Sequence, residues 1–486
     1  MSPPKFCLLF AAFVTLFLLM HNIKSTANNC FNAHDYGINL QAITNAARGE
    51  INPTISIHSL TLFQDHFVPA LFLAVPGMWI INSAYWPLFC EWFFVAFFIF
   101  FLLIISLKET SRKSELLLIL ICLLFNKGLP MALNFPLHPD TWSAPVWALL
   151  LRSIYRKKNS SVIFFAFCLF FYKETFSCAI IGLSFFFLLK KDFKMFSLLF
   201  FSSLLMLYFN FKIRPGLFGD LYPYSNDVLF SPNESLANAL IHRWNRIQKD
   251  IPLKLYYPFL IPFFAMSLKK ESFGNLLAGL SLACPLLAIL FLYNNFYQHH
   301  AAPITAIFVA TCVLGGAFFN ISEIETRFLS PKLKKFFPLS LLTGSLFLAS
   351  SSSVYTKYFR HLVNNDYTRC KILDRSESNQ KLFSHLKGFA PKEKIISTGG
   401  VIPIIIPQLP YGVLLHHFHG FNHIVDHYDY VLIEKNGNGD IAPLTSLMLT
   451  ELLELCQKES KQIMIDDNFY FLAKGNFSKS CTLWPK

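Results

Sequence analysis

Long apolar runs separated by short polar clusters fill the chain to about residue 354, and the pattern then changes. A helix needs about 20 apolar residues to cross roughly 30 Å of hydrocarbon. Crossings are predicted near 6–22, 86–107, 115–134, 140–155, 159–172, 175–190, 195–211, 252–267, 274–293, 301–319 and 337–354. Beyond 355 the stretches "EKIIST", "YGVLLHHF", "YDYVLIEK", "QIMIDD" and "FYFLAKG" read as short strands, and "LTSLMLTELLELCQKES" has helical periodicity. The expected fold is therefore an α-helical polytopic membrane protein of about 11 transmembrane helices, residues 1–354, with an external loop at 23–85. A small external α/β domain, residues 355–486, is expected to follow.

Composition points the same way. Of 486 residues 54% are hydrophobic, 55 are Phe and only 15% are charged, with a mean hydropathy of +0.44. That is more apolar surface than a soluble core buries, so the excess must face lipid. A net charge of +13 would suggest nucleic acid in a soluble protein. Here the basic residues cluster at 108–113, 152–158, 190–194, 269–270 and 327–335, in alternate connections, which is the positive-inside pattern and calls for no nucleic-acid partner. The expected location is the bacterial inner membrane, with a cytoplasmic N-terminus and a periplasmic C-terminal domain. Residues 6–22 read as a signal anchor or a cleaved signal peptide, since Ser25 and Ala27 suit cleavage. Cys30, Cys370, Cys456 and Cys481 fall in external segments where a disulfide can form; the pairing cannot be read.

Between the basic flanks at 158 and 190 the chain must cross an even number of times, so it forms a hairpin with "YKET" at its tip. Its arms are short, which sinks Lys173 and Glu174 below the outer interface. Charges at that depth normally face a bundle interior or a wet cavity. The crossing after 115 runs into "NKGLP", whose Gly128 and Pro130 break the helix, and irregular backbone there is tolerated only beside protein or water. These two features imply an outward-facing cavity, with "FPLHPDTW" and its His138 and Asp140 at the rim.

Other polar clusters fall on the same side. In "HDYGINLQAITNAARGE", Asp35 precedes a helix whose face carries Gln41, Thr44, Asn45 and Arg48, suited to lying at the interface. Asp65 and His66 open a second apolar stretch, and His299 and His300 stand at another external end. The long loop 212–251 adds Arg214, Asp220, Arg243 and Arg246. Plain alternatives compete: Asp35 and Asp140 as helix N-caps, Asp65 and His66 as an interfacial turn, Lys173 with Glu174 as a structural ion pair, and the His pair as belt residues. No cofactor is called for. A divalent metal on His138, Asp140 and the His pair is the weaker reading, because no tight ligand spacing supports it.

Three segments, "HDYGINLQAITNAARGE…DHFVPALFLAVP", "FPLHPDTWSAPVWALLLRSIYRKK" with "FYKETF", and "QHHAAPI", resemble an uncharacterised bacterial membrane family known as domain of unknown function two-zero-seven-nine. That family is itself similar to GT-C glycosyltransferases. The resemblance implies a polyprenyl-phosphate sugar donor and a catalytic base at Asp35. His138, Asp140, Lys173, Glu174, His299 and His300 match family motifs without assigned roles. No Asp-x-Asp occurs in the first loop or at "HPD", which speaks against metal-dependent donor activation.

The leading expectation is sugar transfer from a polyprenyl-phosphate donor on the periplasmic side, with Asp35 as base, Lys173 or a loop Arg on the lipid phosphate, and His138 with Asp140 on sugar hydroxyls. The competing readings are a transporter or flippase of a lipid-linked sugar, and a membrane anchor for the α/β domain. Neither sugar nor acceptor can be read from the chain.

Overall fold

The computed structural model describes residues 3–27, 36–55, 60–109, 137–219, 375–398, 401–411, 413–417, 427–435 and 446–477, with single residues at 238, 241 and 307. Asp35, His299, His300 and the crossings expected near 115–134 and between 252 and 354 lie outside these residues.

The first helix, α1 (Pro3–Ala27), packs along α5 (Trp86–Glu109). At 24 residues and 1.5 Å per residue α5 is about 36 Å long, enough for a bilayer. Between them the first loop folds into α2 (Ile38–Ala47), the two-residue strands β1 (Thr54–Ile55) and β2 (Leu60–Thr61), α3 (Leu62–Asp65), a 3-10 turn at Pro69–Ala74, and α4 (Val75–Ile81). The interfacial expectation for α2 is corrected. Gln41 and Thr44, on its polar face, are buried along with Leu40, Ala42 and Ile43. Asn45 donates to the Thr54 carbonyl, and Arg48 donates to the Leu409 carbonyl at 2.7 Å, so protein covers the face assigned to water.

After residue 137 come α6 (Pro139–Trp142) and α7 (Ala144–Tyr155), then the hairpin arms α8 (Asn159–Leu169) and α9 (Phe176–Leu189). The arms have 11 and 14 residues, or about 16 and 21 Å. Both are shorter than a bilayer, as the sequence led one to expect, and the tip at Lys173 and Glu174 stays near protein. Next, α10 (Phe193–Tyr208) continues through a π-helical turn (Phe209–Ile213) into α11 (Arg214–Phe218). Among the described residues two helical stretches, Trp86–Ile104 and Phe193–Phe218, are long and apolar enough to cross a membrane. Phe193, Phe201, Leu205 and Tyr208 point outward from the second, and Leu9 and Phe13 from α1. Apolar side chains in such rows fit hydrocarbon better than water.

The C-terminal region holds α12 (Ser376–Leu386), β3 (Lys394–Ser397), α13 (Ile402–Ile405), β4 (Leu414–His417), β5 (Tyr428–Glu434), α14 (Ser446–Glu459), β6 (Ser460–Asp466) and β7 (Tyr470–Phe477). The strands form a five-stranded sheet in the order β4-β3-β5-β7-β6. The first three run parallel, while β7 is antiparallel to β5 and to β6. The two-residue period sorts the side chains. Ile396, Val431, Ile433, Phe471 and Ala473 face Leu449, Leu452 and Cys456 of α14, while Ile395, Leu432 and Leu472 face the opposite core. Every strand expected from the sequence is present, as is the helix. The outer core is continuous with that of the first loop, where Asn82 and Arg48 donate to the carbonyls of Pro407 and Leu409.

Candidate functional site

Four chain segments meet beside the hairpin tip. The tip is a tight turn: Phe176 N–H bonds the Lys173 carbonyl and Ser177 N–H the Glu174 carbonyl. Neighbouring side chains on such a turn diverge, and Lys173 and Glu174 do not pair with each other. Lys173 Nζ donates to Asp140 Oδ2 at 3.1 Å, and Glu174 Oε1 bonds His66 Nδ1 at 2.8 Å. Against the alternative of a local Lys173–Glu174 ion pair, each residue hydrogen-bonds a different part of the chain, while the Lys173 charge still acts on Glu174.

Asp140 comes from α6, where Pro139 starts the helix and His138 holds the N-cap position. The capping alternative for Asp140 therefore fails; its side chain serves Lys173. Asp140 is fully buried and Lys173 is 8% exposed. His66 follows the last residue of α3, with extended backbone, and is presented by the first loop. The loop is seated on the tip by the Ala70 N–H, which bonds the Phe171 carbonyl at 3.0 Å, and by Phe67 against Phe171 and Phe209. From the fourth segment, the guanidinium of Arg214 donates to the backbone carbonyls of Asp65 and Asn210, both at 3.3 Å. A π-helical turn, Phe209–Ile213, immediately precedes Arg214.

The electrostatics derive from this placement. Burial works against protonating His66, but Glu174 and Asp65 outweigh it and hold its pKa above the usual imidazole range. Burial alone would raise Glu174; the charge and hydrogen bond of His66, then Lys173 and Arg214, bring it down to about 2. His138 shows the opposite balance. Its burial, with Lys173 and His66 nearby, overcomes the attraction of Asp140 and lowers it to about 3. At neutral pH the cluster thus offers a neutral imidazole at His138 beside the cations Lys173 and Arg214 and the carboxylates of Asp140 and Glu174. Neutral imidazole can both donate and accept, which suits hydroxyl groups; the cations suit an anion. Among the described residues no group of three or more His, Cys, Asp or Glu is arranged to hold a metal ion.

Of the residues singled out from the sequence, Asp65, His66, His138, Asp140, Lys173 and Glu174 are drawn into this cluster. Asp35, His299 and His300 lie outside the described residues. Tyr36, next to Asp35 in the chain, is buried and its hydroxyl donates to the Ala84 carbonyl.

No protein-family model matches the chain, and no curated protein matches it. The family resemblance expected from the motifs is not supported by a family model. The fold is similar to that in the crystal structure of ArnT from Cupriavidus metallidurans bound to undecaprenyl phosphate, with a TM-score of 0.49 and 10% identity over 95% of this chain and 97% of that chain. Likeness at that level decides neither chemistry nor the role of any residue.

Two residues gain importance only in three dimensions. Arg214 was visible as one cation in a long loop; the continuous helix from Phe193 carries it back to Asp65. Glu91 is the second, and its sequence signal is a lone acid inside the run "WPLFCEWFFVAFF", which points to a buried polar contact. It accepts backbone N–H groups from Leu137 and His138. A cavity of about 230 Å³ also opens between α2 and the segment after α13, lined by Gln41, Asn45, Arg48, Glu50 and Tyr411 among others.

Proposed function

We propose that the protein is a membrane glycosyltransferase of the GT-C kind, moving a sugar from a polyprenyl-phosphate donor to an acceptor hydroxyl at the periplasmic face. The observation that carries this reading is the convergence of His66, His138, Asp140, Lys173, Glu174 and Arg214 from four separated segments, beside the end of helices with apolar outward faces.

In the proposed reaction Asp35 takes the proton of the acceptor hydroxyl, whose oxygen attacks the anomeric carbon of the donor. The new glycosidic bond forms as the bond from that carbon to the phosphate oxygen breaks. The polyprenyl phosphate leaves with the electron pair, its negative charge met by Lys173 or Arg214, with inversion at the anomeric carbon. His138 and Asp140 orient sugar hydroxyls. A positioned base contributes on the order of 100-fold to 10,000-fold, and binding supplies the alignment. The cavity beside α2 begins six residues after Asp35 in the chain, at Gln41, and offers the acceptor a place.

The disulfide engaging Cys456 fits an oxidising compartment for the C-terminal domain, residues 355–486. Mass spectrometry of lipid extracts from cells with and without the protein tests the reading. A polyprenyl-phosphate sugar should accumulate in cells lacking it, and again in cells carrying Asp35→Asn. If no lipid-linked sugar changes, or Asp35→Asn transfers as well as the natural chain, the reading is wrong.

A further inference from the structure

Glu91 is 1% exposed in the second turn of α5, and the proposed reaction gives it no role. Its two carboxyl oxygens each accept one backbone N–H from the "LHPD" tip, Oε2 from Leu137 at 3.0 Å and Oε1 from His138 at 3.4 Å. Residues 136 and 139 are prolines and carry no N–H, so these are the two backbone donors available between them, and both go to Glu91. From the other side Asn39 of α2 donates through Nδ2 to the Leu137 carbonyl at 2.9 Å. The peptide unit at Leu137 is gripped by side chains from two different elements.

The gripped segment is a strained turn. Leu137 has φ of 70°, the left-handed region that a residue with a Cβ avoids, and its side chain is fully buried. Such a conformation persists only where surrounding contacts over-determine it. The same turn directs the chain into α6, placing His138 at the helix N-cap and Asp140 two residues further on, at Lys173. A relaxed turn at Leu137 would swing both side chains away from the hairpin tip.

We propose that Glu91 is a positioning residue whose carboxyl group, with Asn39 opposing it, clamps the left-handed turn at Leu137 and so sets His138 and Asp140 against Lys173. Its importance for ligand binding rests on the proposed glycosyltransferase function; the clamp itself can be tested without it.

Hydrogen exchange of the full chain in lipid nanodiscs reads the clamp directly. In Glu91→Gln one acceptor oxygen is replaced by an N–H pointing at a donor. Exchange in the segment 137–142 should then accelerate about tenfold, the equivalent of one lost buried hydrogen bond, while α7 and α9 keep their natural rates. Affinity for a polyprenyl phosphate added to the same nanodiscs should fall about tenfold as well. Adding Leu137→Gly to Glu91→Gln should recover most of that affinity, because glycine takes the left-handed turn without strain. A packing role for Glu91 would not be rescued this way, since the glycine removes a second buried side chain.

Unchanged exchange at the tip overturns the proposal, and so does acceleration spread equally through α5, α7 and α9. If Glu91→Gln does not fold, Asn39→Ala is measured instead, with the same expectation at 137–142 and the same overturning results. If the natural chain binds no polyprenyl phosphate while the exchange result holds, the clamp stands and the functional reading fails.

Discussion

Lys173 Nζ lies 3.1 Å from Asp140 Oδ2, and the two side chains are 10% and 0% exposed. A buried pair of this kind is held less by its own attraction than by the cost of leaving either charge alone. Lys173→Met should therefore destabilise the protein by about 3–5 kcal/mol, and Asp140→Asn by a similar amount, while the double substitution costs distinctly less than the two added together. Thermal unfolding of the four proteins in one detergent gives the comparison, and strict additivity would refute the coupling.

The His66–Glu174 contact at 2.8 Å makes the join between the first loop and the hairpin pH-dependent. His66 titrates above its ordinary 6.5, so its contribution to stability is complete below pH 6.5 and is lost as the pH rises through the elevated value. Glu174 titrates at about 2 instead of 4.5, so its contribution is complete above pH 4.5 and is lost as the pH falls toward 2. The join should be firmest between about pH 4.5 and 6.5 and weaken on the alkaline side. His66→Gln should flatten the decline in Tm on the alkaline side of pH 6.5. A slope unchanged by that substitution would place the cause elsewhere.

Gly77 of α4 lies where the indole of Trp86 passes close to its backbone; a Cβ there would overlap the ring carbons. Trp86 also donates through Nε1 to the Ala74 carbonyl at 2.8 Å, so the ring cannot swing aside freely. Gly77→Ala should cost about 1–3 kcal/mol through this overpacking, and Gly77→Val more. The Tm of the variants, with folded yield as control, checks the order.

In the C-terminal sheet, Arg375 pairs with Glu434 at the end of β5, both side chains being 1% exposed, and its guanidinium lies 5.1 Å from the centre of the Phe469 ring. Glu434→Gln leaves a buried cation short of its charge partner and should destabilise by about 3–5 kcal/mol. Arg375→Met combined with Glu434→Leu should be close to neutral, because two apolar side chains of similar size leave no charge behind. Limited proteolysis of the full chain, followed at bonds within 375–477, reports on this region separately from the helices.

Much of this was legible in the chain. The apolar runs at 86–107 and 195–211 became the two long helices, because length and lipid-compatible composition are local properties. The five strands and α14 were legible from two-residue and 3.6-residue periods, which report which side of an element is covered. The bracketing of 159–190 by basic clusters showed a hairpin, and the shortness of its arms showed that Lys173 and Glu174 stay close to protein.

Which residue meets which was settled only by tertiary structure. Charge sign allowed Lys173 any of several carboxylates, and nothing local chose Asp140, 33 positions away, or showed that Glu174 would bond His66 across 108 positions. The polar face of α2 looked destined for water and was covered by the C-terminal segment instead. Glu91 is a lone acid in an apolar run, and only the turn at Leu137 supplies its partners. The physical reason is common to all three: periodicity records that a side chain will be buried, whereas its hydrogen-bond partner depends on how distant segments close in space, and burial then makes that partner obligatory.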